Sequence, residues 1–135
     1  MKYNYFEDRE FYALLSPKEL VTVYNNDQLR ENRDELRAIL NEIRKSFGQP
    51  ITINSWFRDP EHNELVGGSP SSQHLYGEAV DITSCNNDLL MATIRSLVKH
   101  GLELGQIIQY GSTAIRFIHI SLATRGKVNQ FLRYE

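Results

Sequence analysis

The clearest pattern of hydrophobic and polar positions lies between residues 27 and 47 and predicts an amphipathic helix. Apolar residues recur there at steps of three and four, with charged residues between them, at Leu29, Leu36, Ile39, Leu40, Ile43 and Phe47. Asn26 or Asp27 can cap the start of this helix, and Gly48 with Pro50 ends it. The sequence therefore predicts one long helix with an apolar stripe that faces a core.

Two further helices are predicted downstream. The first follows the Asp59-Pro60 pair, which is typical of a cap and first helical residue, and it ends at Gly67-Gly68. The second runs over about residues 87–100, because its apolar residues recur with the helical period, at Leu90, Ile94, Leu97 and Val98. The first 25 residues carry a weaker pattern, which we interpret as one or two short helices.

Alternation of apolar and polar residues predicts four strands, at Ile51–Ser55, 77–83, 106–110 and 115–121. The last two flank the turn-prone residues 111–114 and are predicted to form a hairpin. Because side chains alternate along a strand, Asp81 faces away from Val80 and Ile82. His119 likewise faces away from Ile118. These elements predict an α+β fold, with helices packed on a small antiparallel sheet in one domain over residues 1–135.

Composition and charge exclude several functional classes. The chain has 135 residues, of which 41% are hydrophobic and 24% charged, values near the average of globular domains. Its formal net charge of −2 and the lack of a basic run argue against a nucleic-acid partner. No apolar run approaches the roughly 20 residues that cross a bilayer, so no membrane partner is expected. Nothing in the pattern signals oligomerisation, and we expect a monomer.

The N-terminus and the single cysteine bear on where the protein is made. The first residues lack the apolar core of a signal peptide, which predicts synthesis in the cytoplasm without secretion by that route. Cys85, the only cysteine, rules out an internal disulfide and fits a reducing compartment. We expect Cys85 to be buried as a small hydrophobic residue.

Two short patterned stretches carry the candidate chemistry. The first contains His74 in a Ser- and Gly-rich loop and Asp81 seven residues later in a strand, and the second contains His119. Gly77 permits a backbone conformation that closes the loop between the first two. Two imidazoles and one carboxylate are what a catalytic Zn²⁺ site takes from protein, with the fourth position left for water. The sequence therefore predicts that these three side chains bind one Zn²⁺ ion.

The same stretches carry a family resemblance. The pattern S-x-H-x-x-G-x-A-x-D that ends at Asp81, followed by I-H-I-S around His119, resembles the zinc D-Ala-D-Ala peptidases of the M15 family. Their fold is shared by the Hedgehog signalling domain. The resemblance runs from the long helix to about Ser121. It implies a peptidoglycan stem peptide as substrate, cut by a carboxypeptidase or an endopeptidase.

The resemblance also implies two substrate-binding residues. The segment I-N-S-W-F-R ends at Arg58, which in such proteins holds the peptide substrate; the alternative is a structural ion pair with Asp59 or Glu61. Ser72 begins the S-x-H motif and is expected to bind the substrate or the water on the metal. The alternative for Ser72 is that its hydroxyl only orders the loop.

The general base that peptide hydrolysis needs is not evident in the sequence, so no catalytic residue is assigned. Members of the family place a glutamate three residues before the final histidine, on the preceding strand, or six residues before that histidine. Here those places hold Arg116, Gln109 and Thr113. The remaining candidates are Glu61, Glu64, Glu78 and His62, and strand parity turns Glu78 away from Asp81.

Two functions remain open at this point. The first is a zinc peptidase that is active or weakly active. The second is a catalytically impaired, zinc-stabilised module that binds peptidoglycan or a protein partner. The Val-Gly-Gly stretch before S-x-H, in a short chain without a secretion signal, resembles members from phages and prophages. That resemblance implies an endolysin-like role at the cell wall, with delivery by lysis or by a virion.

Overall fold

The computed structural model describes residues 4–111 and 116–134. Its helices are α1 (Asp8–Tyr12), α2 (Pro17–Tyr24), α3 (Asp27–Phe47), α4 (Pro60–Leu65) and α5 (Asn87–Lys99), with a 3₁₀ turn at Gln73–Tyr76. Its strands are β1 (Ile51–Ser55), β2 (Ala79–Ser84), β3 (Gln106–Gly111), β4 (Arg116–Ser121) and β5 (Gln130–Tyr134). The strands form one sheet in the order β1-β2-β4-β3-β5, and the predicted α+β class is confirmed.

The long helix α3 has the predicted bounds and supplies much of the core. The Asn26 side chain accepts a hydrogen bond from the backbone N–H of Leu29, which caps the helix start. Gly48 ends the helix in the left-handed conformation, at a φ of 77°. The predicted inner face is buried, with Leu36, Leu40 and Ile43 among its members. Helix α5 packs beside it and buries Leu90, Met91 and Ile94.

Residues 4–25 form two short helices, in agreement with the prediction of one or two, and they join the same core. Phe6 and Phe11 are both almost fully buried. The ring of Phe11 meets that of Trp56 edge to face, with the centroids 5.7 Å apart. Burial of such aromatic rings contributes several kcal/mol in general, so the N-terminal segment is held firmly against the strand end at Trp56.

The register of the sheet brings the two metal-binding stretches together. Strand β2 pairs antiparallel with β4, and Asp81 lies directly opposite His119. Strand β3 pairs antiparallel with β4 on the other side, with Ile108 opposite His119. The apolar positions Val80, Ile82 and Ile118 are all buried on the opposite face. Asp81 and His119 therefore share the face that was predicted for them.

The prediction of an antiparallel sheet was incomplete, because β5 was not predicted and pairs parallel with β3. Strand β5 lies at the edge of the sheet, and most of its residues are exposed. Only Phe131 packs against the core, at its margin. An edge strand with one apolar contact carries little hydrophobic alternation, so this strand leaves no clear signal in the sequence.

Three details complete the comparison with the predicted elements. Strands β3 and β4 pair as the predicted hairpin, while Ser112, Thr113, Ala114 and Ile115 lie outside the described residues. The predicted burial of Cys85 is wrong: the cysteine is exposed, because it follows the end of β2 in the loop before α5. None of the helices in the described part of the chain is long and apolar enough to cross a membrane.

Candidate metal centre

The loop that carries His74 is shaped by its own short-range contacts. Ser72 caps the 3₁₀ turn, because its hydroxyl accepts a hydrogen bond from the backbone N–H of His74 at 3.2 Å. Gly77 ends the turn at a φ of 65°, where residues with a side chain are strained. A Cβ at Gly77 would also lie 2.8 Å from the Leu29 side chain. The loop therefore needs glycine at this position for two separate reasons.

Gln73, which the motif leaves variable, anchors the loop from the inside. Its side chain is 2% exposed, and its Nε2 donates hydrogen bonds to the carbonyl of Leu122 at 3.0 Å and to Thr124 Oγ1 at 2.8 Å. The motif offers no reason to single it out, since its partners come from the segment after β4. The loop is thus tied to the strand that carries His119.

The three predicted ligands meet at one point. Asp81 Oδ1 lies 3.1 Å from His74 Nε2 and 3.0 Å from His119 Nδ1. One ligand atom from each residue lies within 4.8 Å of the other two. Tetrahedral Zn²⁺ holds nitrogen and oxygen ligands at about 2.0–2.1 Å, which puts neighbouring ligand atoms about 3.3 Å apart. The two ligand pairs that include Asp81 are therefore already spaced close to the separation of zinc ligands.

A hydrogen bond to the protein backbone fixes the ring of His74. Its Nδ1–H donates to the carbonyl of Trp56 at 2.5 Å, and a carbonyl can only accept. The lone pair of a neutral His74 is then on Nε2, facing the carboxylate of Asp81. Two acceptors at 3.1 Å need a proton or a cation between them, and a metal ion meets that need. The residues present therefore fit Zn²⁺.

Burial and charge keep the ligands in the protonation states that metal binding requires. Burial opposes ionisation of Asp81, but whenever His119 and His74 are protonated, their N–H groups and positive charge outweigh burial and hold the pKa of Asp81 well below its usual range. Burial lowers the pKa of His119, although its hydrogen bond to Asp81 acts in the opposite direction. Asp81 is therefore a carboxylate and His119 a neutral imidazole at neutral pH.

Comparison with known proteins agrees with this geometry. The model of the peptidase M15 family matches residues 6–121, which include all three ligands. The chain belongs to the peptidase M15 family. A zinc D-Ala-D-Ala carboxypeptidase from Streptomyces albus G is 43% identical over 44 residues. That match covers 32% of this chain and 17% of the length of the Streptomyces protein.

Arg58 lies beside the ligands in this M15 domain and forms no ion pair with the residues that the structure describes. Its backbone N–H donates to the carbonyl of His74 at 3.1 Å, and its Nη2 lies 3.4 Å from Ser72 Oγ. Its Nε is buried without a hydrogen-bond partner. Asp59 instead caps α4, and no carboxylate of the described residues lies within 4.0 Å of the guanidinium. The described residues therefore give no support to the alternative of a structural ion pair with Asp59 or Glu61.

A cavity of about 470 Å³ opens above the ligands, and it contains residues that the sequence analysis missed. Arg58 and Ser72 line it, as do Lys127, Tyr110 and Tyr134. Lys127 follows β4 in a loop, and Tyr134 belongs to the unpredicted strand β5, so their proximity to the site depends on that strand. Asp81 is the one acidic residue among those described in the lining.

The other candidate bases lie elsewhere. Glu78 is buried in a salt bridge with Arg125, with Nε and Oε1 2.8 Å apart. His62 contacts Glu19 at 3.0 Å, and Glu61 lines a different cavity beside them. Glu64 is exposed on α4 and is not among the described lining residues of the metal cavity. None of these four candidates is therefore among the described lining residues of the metal cavity.

The structure shows which residues of β3 face the metal cavity. The family resemblance implies a glutamate at the position of Gln109, but the Nε2 of Gln109 donates to Asp88 Oδ1 at 2.6 Å, on the α5 side of the sheet. Ile108 pairs with His119, and Gln106, Ile108 and Tyr110 all line the metal cavity. The alternation of side chains makes Tyr110, rather than Gln109, the terminal β3 residue that faces the ligands.

The hydroxyl of Tyr110 stays protonated. Burial raises its pKa, the charge of Asp81 raises it further, and only Arg58 acts in the opposite direction among its strong neighbours. Its ring stacks on that of Phe117, with the centroids 4.4 Å apart, and makes a tilted contact with the ring of Tyr134 at 5.4 Å. Tyr110 therefore offers a hydrogen-bond donor to the cavity and no base at neutral pH.

Proposed function

We propose that this domain is a zinc peptidase that hydrolyses peptide bonds in the stem peptides of bacterial peptidoglycan. Membership of the peptidase M15 family supports the reaction class. The observation that carries the proposal is the convergence of His74, Asp81 and His119 on one point beneath an open cavity. The similarity to the Streptomyces protein, a zinc D-Ala-D-Ala carboxypeptidase, supports the substrate class.

The three ligands would hold the ion and leave a further position open toward the cavity. When bound, Zn²⁺ polarises the carbonyl of the scissile bond and makes water acidic enough to attack at about neutral pH. His74 and His119 serve as neutral imidazoles, and Asp81 lowers the charge of the site by one. The backbone bond from His74 to Trp56 keeps the imidazole aimed at the ion.

Arg58 and Ser72 are the proposed substrate-binding residues. Arg58 has no carboxylate partner among the described residues, so a carboxylate or carbonyl of the stem peptide can accept hydrogen bonds from its guanidinium. Ser72 Oγ lies within 3.4 Å of Arg58 and also caps the His74 loop. Both roles proposed for Ser72 are therefore compatible, since a hydroxyl oxygen accepts two hydrogen bonds and donates one.

The absence of a second carboxylate from the described cavity lining limits the expected rate. General-base catalysis typically contributes about 10²–10⁴-fold, so we expect slow turnover that depends on water ionised at the metal site. Tyr110 can donate a hydrogen bond to the developing oxyanion, which stabilises the transition state without moving a proton. The domain would then be a weak peptidase in which electrophilic stabilisation carries most of the rate.

The proposal is tested by digestion of purified soluble muropeptides with the zinc-loaded protein, followed by mass spectrometry. The matched controls are His119→Ala, which removes a ligand, and His100→Ala, which changes an exposed histidine at the C-terminal end of α5. New fragments from the wild type and His100→Ala, but not from His119→Ala, are expected, and their masses identify the bond. Equal patterns in all three digests would refute the proposal.

A second function is favoured by one observation, the absence of a second acid from the described cavity lining. In this alternative the zinc-loaded domain binds peptidoglycan, or a protein partner, without cutting it. Co-sedimentation with insoluble sacculi discriminates the two: binding that persists for hours without release of fragments favours the binding module. Release of fragments by the wild type favours the peptidase.

The cellular setting belongs to the same proposal. A cell-wall substrate requires that the domain reaches the wall, and a phage or prophage setting with delivery at lysis or by a virion meets that requirement. Action as a monomer is part of the proposal, and sedimentation velocity of the zinc-loaded protein tests it.

A further inference from the structure

Glu19 on α2 is a buried carboxylate that the proposed mechanism does not use. The residue is 1% exposed, and carboxylates are rarely buried to that degree unless they are paired. Its Oε1 accepts a hydrogen bond from the backbone N–H of Ser16 at 2.9 Å. Its Oε2 accepts from the backbone N–H of Asp59 at 2.9 Å and contacts His62 Nδ1 at 3.0 Å. This carboxylate therefore connects the N-terminal helices to the segment that begins α4.

The bond to Asp59 lies next to the proposed substrate-binding cation. The peptide group that donates to Glu19 joins Arg58 to Asp59, whereas the N–H of Arg58 itself donates to the carbonyl of His74. The backbone of Arg58 is thus held on one side by a metal ligand and on the other by Glu19. The two bonds together fix the direction in which the Arg58 side chain leaves the backbone.

Little else fixes that side chain. Within the described residues, the guanidinium makes one hydrogen bond, the 3.4 Å contact with Ser72 Oγ, which is long for a charged donor. Its Nε is buried without a partner. The orientation of Arg58 therefore depends largely on the bonds that hold its backbone, and one of these bonds is accepted by Glu19.

We propose that Glu19 is a positioning residue that holds Arg58 ready to bind the acidic or carbonyl groups of the stem peptide. The identity of the bound peptide rests on the proposed function. The positioning of Arg58 by Glu19 rests only on the contacts described above. Glu19 does not line the metal cavity among the described residues and touches no metal ligand. Outside the start of α2, the contacts of its carboxylate are with Asp59 and His62.

The test is a double-mutant cycle of Glu19→Gln and Arg58→Ala, with two readouts. The first is the dissociation constant of a synthetic stem pentapeptide ending in D-Ala-D-Ala, measured calorimetrically on the zinc-loaded protein. The second is the Arg58 Nε–H signal in an NMR spectrum of labelled protein without peptide. Glu61→Gln is the matched control, because Glu61 is an exposed carboxylate two residues after Asp59.

Glu19→Gln is expected to weaken peptide binding about tenfold, because an amide cannot accept from both Ser16 and Asp59 with both of its terminal atoms. The same change in an Arg58→Ala background is expected to have little effect on peptide binding, because Glu19 is proposed to act only through the Arg58 side chain. The Arg58 Nε–H signal is expected to shift in Glu19→Gln and not in Glu61→Gln. Bound zinc stays unchanged in all variants that retain the three ligands.

Additive effects of the two changes, or an unmoved Arg58 signal, would overturn the inference. If the wild type binds no stem pentapeptide, the proposed substrate is wrong, while the NMR readout still decides whether Glu19 positions Arg58. Should Glu19→Gln fail to fold, Glu19→Asp replaces it. That variant keeps the negative charge, but its shorter side chain moves the carboxylate away from the backbone N–H of Asp59. A smaller shift of the Arg58 Nε–H signal is therefore expected.

Discussion

His74 donates its Nδ1–H to the backbone carbonyl of Trp56 at 2.5 Å, and two residues after Trp56, Arg58 donates its N–H back to the carbonyl of His74 at 3.1 Å. The indole of Trp56 in turn donates to the carbonyl of Gly77 at 2.8 Å. These three bonds make the His74 loop and the end of β1 one rigid unit. A metal ligand and the cation beside it are thereby held by the same backbone segment.

Gly77→Ala should destabilise this unit more than the same change at another left-handed glycine. At Gly77 a Cβ meets both a φ of 65° and the Leu29 side chain at 2.8 Å. At Gly48, with a φ of 77°, a Cβ would have no neighbour within 4 Å, so the substitution there carries only the backbone strain. We expect a loss of about 2–4 kcal/mol for Gly77→Ala and about 1 kcal/mol for Gly48→Ala in urea unfolding. Equal losses would show that the packing against Leu29 is unimportant.

Tyr110→Glu should raise the rate of muropeptide cleavage. The position faces the metal cavity, so a carboxylate there supplies the missing base, and a gain on the order of tenfold or more is expected. Tyr110→Gln is the matched control, because it removes the same ring without adding a carboxylate. The measurement is the initial rate of fragment release by the zinc-loaded variants.

Gln109→Glu is expected not to raise that rate, because Gln109 contacts Asp88 on the other side of the sheet. It places two carboxylates together where Nε2 and Oδ1 are now 2.6 Å apart, which should lower stability by about 1 kcal/mol or more. A rate gain from Gln109→Glu without one from Tyr110→Glu would contradict the assignment of faces on β3.

Glu19 should make the stability of the fold depend on pH in the acid range. Burial opposes its ionisation, but the hydrogen bonds from Ser16, Asp59 and His62 outweigh burial and lower its pKa. A depressed carboxyl pKa stabilises the fold above the unfolded value of roughly 4.3 and loses that contribution as the pH falls through the folded value. The free energy of unfolding should therefore decline below about pH 4.5.

Comparison with Glu19→Gln isolates this contribution. The difference in unfolding free energy between wild type and variant should be largest above about pH 5 and should shrink as the pH approaches about 3. Glu61→Gln, at an exposed carboxylate, should show a small difference that does not change over that range. A constant difference for Glu19→Gln would mean that its charge does not stabilise the fold.

The sequence predicted the parts of the fold that hydrophobic periodicity encodes. Helix α3 repeats its apolar residues along its whole length, and its bounds came out as predicted. Strand β5 has one residue packed at the core margin, so the edge of the sheet and its parallel pairing were missed. Cys85 was predicted buried from its residue type alone, while the loop after β2 leaves it exposed.

The ligand set was predictable for a different reason. His74 and Asp81 lie in one short motif, and the register that brings His119 opposite Asp81 follows from two strands with clear alternation. The remaining cavity residues come from distant segments, as with Lys127 and Tyr134, and the contact of Glu19 with Asp59 comes from the far N-terminus. Such contacts depend on tertiary packing, and local patterns do not report them.

The most direct test of the account is the zinc stoichiometry of the purified protein after dialysis, measured by mass spectrometry of the metal. We predict one zinc ion per wild-type chain and almost none for Asp81→Ala or His119→Ala, with His100→Ala binding as the wild type does. Zinc should also raise the melting temperature of the wild type, and a chelator should reverse the rise. Zinc retained at full stoichiometry by Asp81→Ala and His119→Ala, or none in the wild type, would contradict the assignment of His74, Asp81 and His119 as the metal centre.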